Sequence, residues 1–184
     1  MSKHIMVDLE TFGTSSIAAI VSIGAVEFDP YSVRLGTTYY ANVDAGSAVT
    51  AGMQLDASAV YFWLEQLKDV QSNLLTNRIS LKDALGGFRM LAQGNYIWAH
   101  ATFDPVILAN AYTLIGAGRG FNYKDVRDLR TLAALTPNYA QCPCYAARNQ
   151  SKAHNSLEDA ITQARVVQWC FAKLKHGIVD APEA

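Results

Sequence analysis

Val7-Asp8-Leu9-Glu10-Thr11 closes a short β-rich run that begins at His4, and it sets two carboxylates inside an otherwise apolar strand. Residues two apart on a strand share a face, so Asp8 and Glu10 project to the same side. A carboxylate among apolar side chains is costly unless a cation meets it, and few lysines or arginines lie nearby in sequence. Two more acids have similar surroundings: Asp104 in Phe103-Asp104-Pro105, and Asp159 in His154-Asn155-Ser156-Leu157-Glu158-Asp159. Asp104 falls at a strand-to-helix junction and Asp159 in the first turn of the last helix. From both positions a side chain can reach over the end or face of a sheet. Four hard oxygen donors with no thiolate among them suit Mg2+ or Mn2+ better than zinc.

Outward from this strand, residues 17–28 and 36–43 read as two further strands. Asp29-Pro30-Tyr31-Ser32 is the turn between them, so the first three strands form an antiparallel meander. Helical spacing then takes over. Residues 56–68 put Val60, Trp63, Leu64 and Leu67 on one face, and residues 80–91 follow with Ser80 as N-cap. Residues 95–99 form a short strand. Pro105 sits in the first turn of a helix that reaches about Ile115. The cluster Gly116-Ala117-Gly118-Arg119-Gly120 ends that helix; it lacks the Gly-Lys-Ser/Thr of a phosphate loop and reads as a cap and loop. Residues 126–135 hold a short strand or turn running into a helix, 137–151 a polar loop, and 155–175 the last and longest helix. Strands first, then strands mixed with helices, predict an α/β domain with a mixed sheet. With 184 residues and no break in composition, one domain is expected over residues 1–184.

Lysine and arginine number 15 against 16 aspartate and glutamate, a net charge of −1 that neither requires nor excludes a polyanionic substrate. The three cysteines, Cys142, Cys144 and Cys170, provide no disulfide framework, and Cys142-Pro143-Cys144 is a poor zinc spacing without a second pair. They read as free thiols of a cytoplasmic protein. No signal peptide and no membrane span are expected.

Two divalent ions about 3.5–4 Å apart stabilise both the attacking and the leaving oxygen of an in-line phosphoryl displacement. A neutral histidine beside the attacking water can take its proton, because its ordinary pKa lies near working pH. His154, just ahead of the last helix, is the candidate. Each residue taken singly has a plainer role. Asp8 and Glu10 fit a surface strand, Asp104 a helix cap, Asp159 a first-turn acid on the helix dipole, and His154 a structural histidine. Their joint order and setting favour the site.

In these residues the chain resembles the DEDDh branch of the DEDD 3′→5′ exonucleases, which have a ribonuclease H-like fold. Val7 to Thr11 is similar to the first exonuclease motif, His100-Ala101-Thr102-Phe103-Asp104 to the second, and His154 through Asp159 to the third. The likeness runs from Ile5 to about Leu174 and includes Ile20, Ile23, Gly24, Ala25 and Val26. Ala101 through Leu108, the Trp63 helix and Asp128-Leu129-Arg130-Thr131 are similar to the ribonuclease T-like and phage or prophage exonucleases. The resemblance implies a five-stranded mixed sheet with helices on both faces. It implies two Mg2+ or Mn2+ ions held by Asp8, Glu10, Asp104 and Asp159, and His154 as general base. It also implies release of nucleoside 5′-monophosphates from single-stranded RNA or DNA 3′ ends, and a homodimer. Thr11 and Phe12 would hold the terminal nucleotide, with Phe103 packing nearby.

Two positions depart from the motifs: Ser156 stands where alanine is usual, and His100 where asparagine is frequent. His100 is expected to satisfy a core hydrogen bond, and Asp128 to serve as a structural acceptor. Tyr61, Phe62 and Trp63 are consecutive, so at least one ring must face outward, where bases could stack on it. Trp63 is a core position by its spacing and also a candidate substrate contact. Arg127, Arg130 and Arg148 are candidate phosphate contacts. The rival reading is a catalytically weak nucleic-acid-binding or accessory module of the same fold. An endonuclease of ribonuclease H type fits the acid order less well.

Overall fold

The computed structural model describes residues 3–146 and 154–177. Its centre is a five-stranded sheet of order β3-β2-β1-β4-β5. The strands β1 (His4–Thr11), β2 (Ile20–Phe28) and β3 (Leu35–Asn42) form the expected antiparallel meander. β4 (Tyr96–Ala99) and β5 (Val126–Asp128) run parallel to β1 on its other side. Between β3 and β4 lie α1 (Ala45–Thr50), α2 (Ala57–Leu64), α3 (Lys68–Leu75) and α4 (Leu81–Ala92). Then come α5 (Asp104–Leu114) before β5, α6 (Leu129–Leu135) directly after it, and α7 (Ser156–Gly177).

Alternation along β1 assigns its two faces. Ile5, Val7 and Leu9 join Leu85 and Phe88 of α4 and Ile107 and Leu108 of α5 in one core. Met6 joins Trp98 of β4 and Ala160, Ala164 and Val167 of α7 in a second core on the opposite face. Helices therefore cover both faces, as expected. Small residues let α7 lie close to the sheet, and the tightest approach is at Gly24 of β2. A Cβ there would meet Leu157 N and Ser156 C at 2.1 Å. Gly24 is the partner of Asp8 in the β1–β2 register, so the start of α7 rests beside the first acid.

The helix expected over residues 56–68 ends early, and α1 and α3 were not expected. Leu64 and Leu67, placed on a buried face by their spacing, are each 67% exposed. The Gln71 side-chain amide donates to the carbonyls of Trp63, Leu64 and Gln66 at 3.2, 2.8 and 3.0 Å. These bonds satisfy carbonyls that a helix end leaves open, and the chain turns into α3. Burial then falls to Trp63 with Val70 and Leu74 of α3. No described helix is long and apolar enough to cross a membrane. The three cysteines are free thiols. Arg148 lies outside the described residues, as does part of the expected 137–151 loop.

Candidate active site

Three segments distant in sequence meet at the end of β1. One carboxylate oxygen each of Asp8, Glu10 and Asp159 lies within 4.8 Å of the other two. β1 supplies the first two from its α7-facing side. The N-terminus of α7 supplies the third, after Asn155 caps the helix by accepting from Leu157 N and Glu158 N at 3.1 and 3.2 Å. Ser22 of β2 and Ser156 share a hydrogen bond of 2.9 Å, and both are fully buried. The serine that replaces the motif's usual alanine thus pins the first turn of α7 to the sheet.

Asp104 is 2% exposed and stands just outside this triplet. Its carboxylate spans the ends of β1 and β4, accepting from Leu9 N and from His100 N, each at 3.1 Å. Phe103 is the N-cap residue of α5 and makes no side-chain cap bond, so Asp104 is not the cap. Burial pushes the Asp104 carboxyl up to about 7, against the pull of those backbone N–H groups. Burial, and then the carboxylates of Asp104, Glu10 and Asp159, hold Asp8 well above the usual carboxylate range. A cluster of hard oxygens under mutual repulsion is a donor set that fits a divalent cation, and Asp8, Glu10 and Asp159 are placed to hold it.

His154 occupies the turn before α7 with φ of +61°, a left-handed conformation uncommon for a residue with a side chain. Its ring lies edge-on to Phe62 at 5.1 Å and to Trp63 at 5.9 Å. Together with Glu10, Thr11, Phe62, Trp63 and Phe103 it lines a cavity of about 390 Å³. The cavity thus joins a histidine and the Glu10 carboxylate to aromatic walls. Residues 3–171 match the family described as Rv2179c-like, the 3′-5′ exoribonuclease Rv2179c-like domain. The chain belongs to that family. Among curated proteins, none matches the chain.

Solved structures place this exonuclease-family domain in the ribonuclease H-like fold. E. coli exonuclease I in complex with a dT13 oligonucleotide has a TM-score of 0.66 at 13% identity, over 97% of this chain and 43% of exonuclease I. The zinc-bound form of E. coli exonuclease I with single-stranded DNA has a TM-score of 0.67 at 13% identity, over 96% and 42%. Exonuclease X in complex with 5′ overhanging duplex DNA has a TM-score of 0.60 at 16% identity, over 92% and 91%. The domain therefore spans less than half the length of exonuclease I.

The remaining expected residues fall as follows in the domain. Thr11 is buried, with its hydroxyl on the Gly13 carbonyl at 2.6 Å and its own carbonyl accepting from Trp63 Nε1 at 3.0 Å. Trp63 therefore braces the cavity wall from within the core. Phe12 has both backbone groups engaged: its N–H donates to the Ala19 carbonyl and its carbonyl accepts from Asp56 N. Its ring packs on Trp63. Two rings of the run turn outward, Tyr61 at 65% and Phe62 at 42% exposed, and of these Phe62 lines the cavity. Asp128 is a structural acceptor for Ala101 N and Thr131 N. His100 departs from expectation, because its Nδ1 is buried without a hydrogen-bond partner among the described residues.

Gln163 was not anticipated. It lies one helical turn beyond Asp159 and is 6% exposed. Its amide donates to Asp8 Oδ1 at 2.6 Å, while its Oε1 is buried without a partner among the described residues. The available signal was its spacing of four from Asp159, which puts both on one helix face.

Proposed function

We propose that residues 1–184 act as one divalent-metal-dependent 3′→5′ exonuclease domain that removes nucleoside 5′-monophosphates from single-stranded RNA or DNA. The observation that carries this reading is the convergence of Asp8, Glu10 and Asp159 oxygens within 4.8 Å, beside a cavity walled by His154. Asp8, Glu10 and Asp159 would hold two Mg2+ or Mn2+ ions, with Asp104 completing the set at the junction of β1 and β4. When bound, such ions lower the pKa of the attacking water and offset charge on the leaving oxygen. Gln163 fixes the Asp8 carboxylate in place. Phe62 and Phe103 flank the terminal base, and Thr11 and Trp63 shape the wall behind it. His154 accepts the proton of the attacking water. The water oxygen bonds to phosphorus as the bond to the 3′ oxygen breaks. The leaving 3′ oxygen takes a proton from solvent, so the shortened strand keeps a 3′-hydroxyl, and the 5′-monophosphate departs. A cytoplasmic homodimer is part of this reading, and sedimentation of the purified protein tests the dimer.

The test incubates 3′- and 5′-labelled single-stranded RNA and DNA with the protein in Mg2+, Mn2+ or EDTA, beside Asp159→Ala. Metal-dependent shortening from the 3′ end that disappears in the variant upholds the proposal, and the faster substrate names the preference. Strands that bind without being shortened would put a binding module in its place.

A further inference from the structure

The acids occupy one end of the sheet, and cations gather at the other. His4, at the start of β1, pairs with Tyr96, at the start of parallel β4; Asp8 and Glu10 lie further along β1, and Asp104 follows β4. Around the starts of β4 and β5 stand three cations within nine residues, each over a tyrosine ring. The Arg127 guanidinium is 4.6 Å from the Tyr96 centroid. Arg119 and Lys124 are 5.7 and 5.9 Å from that of Tyr123. Such pairs occur roughly once per 70–80 residues in folded proteins, so three in one place mark a distinct surface. The surface is continuous, because Arg127 Nη1 donates to the Lys124 carbonyl at 2.8 Å. It is also held in shape. Arg89, from α4, donates to the Ala117 carbonyl at 3.0 Å, and Arg89, Arg119 and Tyr123 line a cavity of about 550 Å³. Tyr123 is 64% exposed. β5 is the last strand of the sheet, so no neighbouring strand covers this edge. Asp125 is the acid that shares the cavity, against the cations Arg89 and Arg119.

We propose that this edge, presented by Arg119, Tyr123, Lys124 and Arg127, is a second contact surface for single-stranded nucleic acid, remote from the acid cluster. Cations that follow a phosphate backbone, interleaved with rings and guanidinium planes on which bases stack, are the chemistry by which single strands are held without regard to sequence. The surface suits the body of a strand, while the acid end suits its terminus. The choice of nucleic acid rests on the exonuclease reading above. The surface itself does not depend on catalysis.

The experiment uses the whole protein, with Arg119→Ala/Lys124→Ala as a double variant and Tyr123→Ala as a single one. All three positions are exposed, and an unchanged unfolding midpoint verifies the fold. Binding of fluorescent single strands of about 4 and about 24 nucleotides, bracketing known single-strand site sizes, is followed by anisotropy in EDTA across a salt series. For the long strand the double variant is expected to raise Kd about tenfold and to flatten the salt slope by about 1.4, since each phosphate contact on a single strand contributes about 0.7. Tyr123→Ala is expected to weaken long-strand binding about fivefold or more through lost stacking. With Mn2+ present, KM for the long strand rises while kcat and turnover of the short one hold. An unchanged long-strand Kd and salt slope overturn the proposal. So does an equal loss on both lengths, or displacement of the strand by a polyglutamate peptide of matched charge as effectively as by nucleic acid. If the wild type shortens neither strand, the exonuclease reading fails, while the binding measurements still decide this one.

Discussion

Ile5, Val7 and Leu9 extend from β1 into the core beneath α4 and α5, while Met6, Asp8 and Glu10 extend from the same strand towards α7. The first face is apolar along its whole length. The second is apolar only where Met6 meets Trp98 and α7, and it then turns acidic. Packing and chemistry are thus separated by strand alternation rather than by domains. A substitution of Asp8 or Glu10 acts on the site, and one of Ile5, Val7 or Leu9 acts on the fold. The acidic half is costly to fold without a cation, with the Asp8 carboxyl pushed well above the usual range by burial and by its three acidic neighbours.

The largest effect expected from this contrast is at Asp8. Asp8→Asn should lower kcat/KM by about 10²–10³-fold, the range for loss of a main electrostatic contributor, and yet raise the unfolding midpoint of the metal-free protein. A lowered midpoint would break the comparison. Next is Gln163→Met, which removes the bond to Asp8 while keeping the volume. Mn2+ affinity measured by calorimetry should fall about 10–100-fold, as for outer-shell partners of metal ligands, with the fold unchanged. Gly24→Ala should cost about 1–3 kcal/mol, the range for overpacking, because its Cβ would meet backbone atoms at 2.1 Å. Mn2+ affinity should fall with it if α7 moves; denaturant unfolding with calorimetry gives both numbers.

A pH series sharpens the contrast further. Asp104 has its folded pKa raised to about 7 from 3.8, so the folded state binds more protons than the unfolded one between those values. Stability of the metal-free protein should therefore rise as pH falls from about 7 towards 4 and stay flat above 7. Saturating Mn2+ should reverse the trend, and thermal unfolding with and without the ion reads both. The smallest effect concerns the Ser22–Ser156 pair. Either alanine variant alone should cost about 1–3 kcal/mol by leaving a buried hydroxyl without a partner, whereas the double variant should cost less than either. Chemical unfolding of the three variants decides this.

What could be read from the sequence follows how each signal is encoded. The meander was legible from β-rich runs parted by a turn, α4 from its N-cap Ser80, and α5 from Pro105 in its first turn. Asp8, Glu10, Asp104 and Asp159 were legible because acids inside apolar strings need a reason. The split at residues 65–67 was not, since Leu64 and Leu67 continue the apolar spacing while the decision rests with Gln71, a residue with no such pattern. The six residues of α1 are too few to show a period. Gln163 was missed because a glutamine facing a sheet carries no chemistry until the carboxylate opposite it is known. Tyr61 and Phe62 were only half visible, since three adjacent aromatic residues require at least one to face outward without saying which.

Asp8 and Gln163 are 155 positions apart, and only α7 closes that distance. Assembly of the acid cluster is therefore among the most non-local events of the fold, late by the logic of contact order. During synthesis, β1 emerges first and displays Asp8 and Glu10 while Asp159 has yet to be translated. A nascent chain, or one cleaved ahead of residue 156, carries Asp8, Glu10 and Asp104 without Asp159, so the acid set stays incomplete until α7 is made.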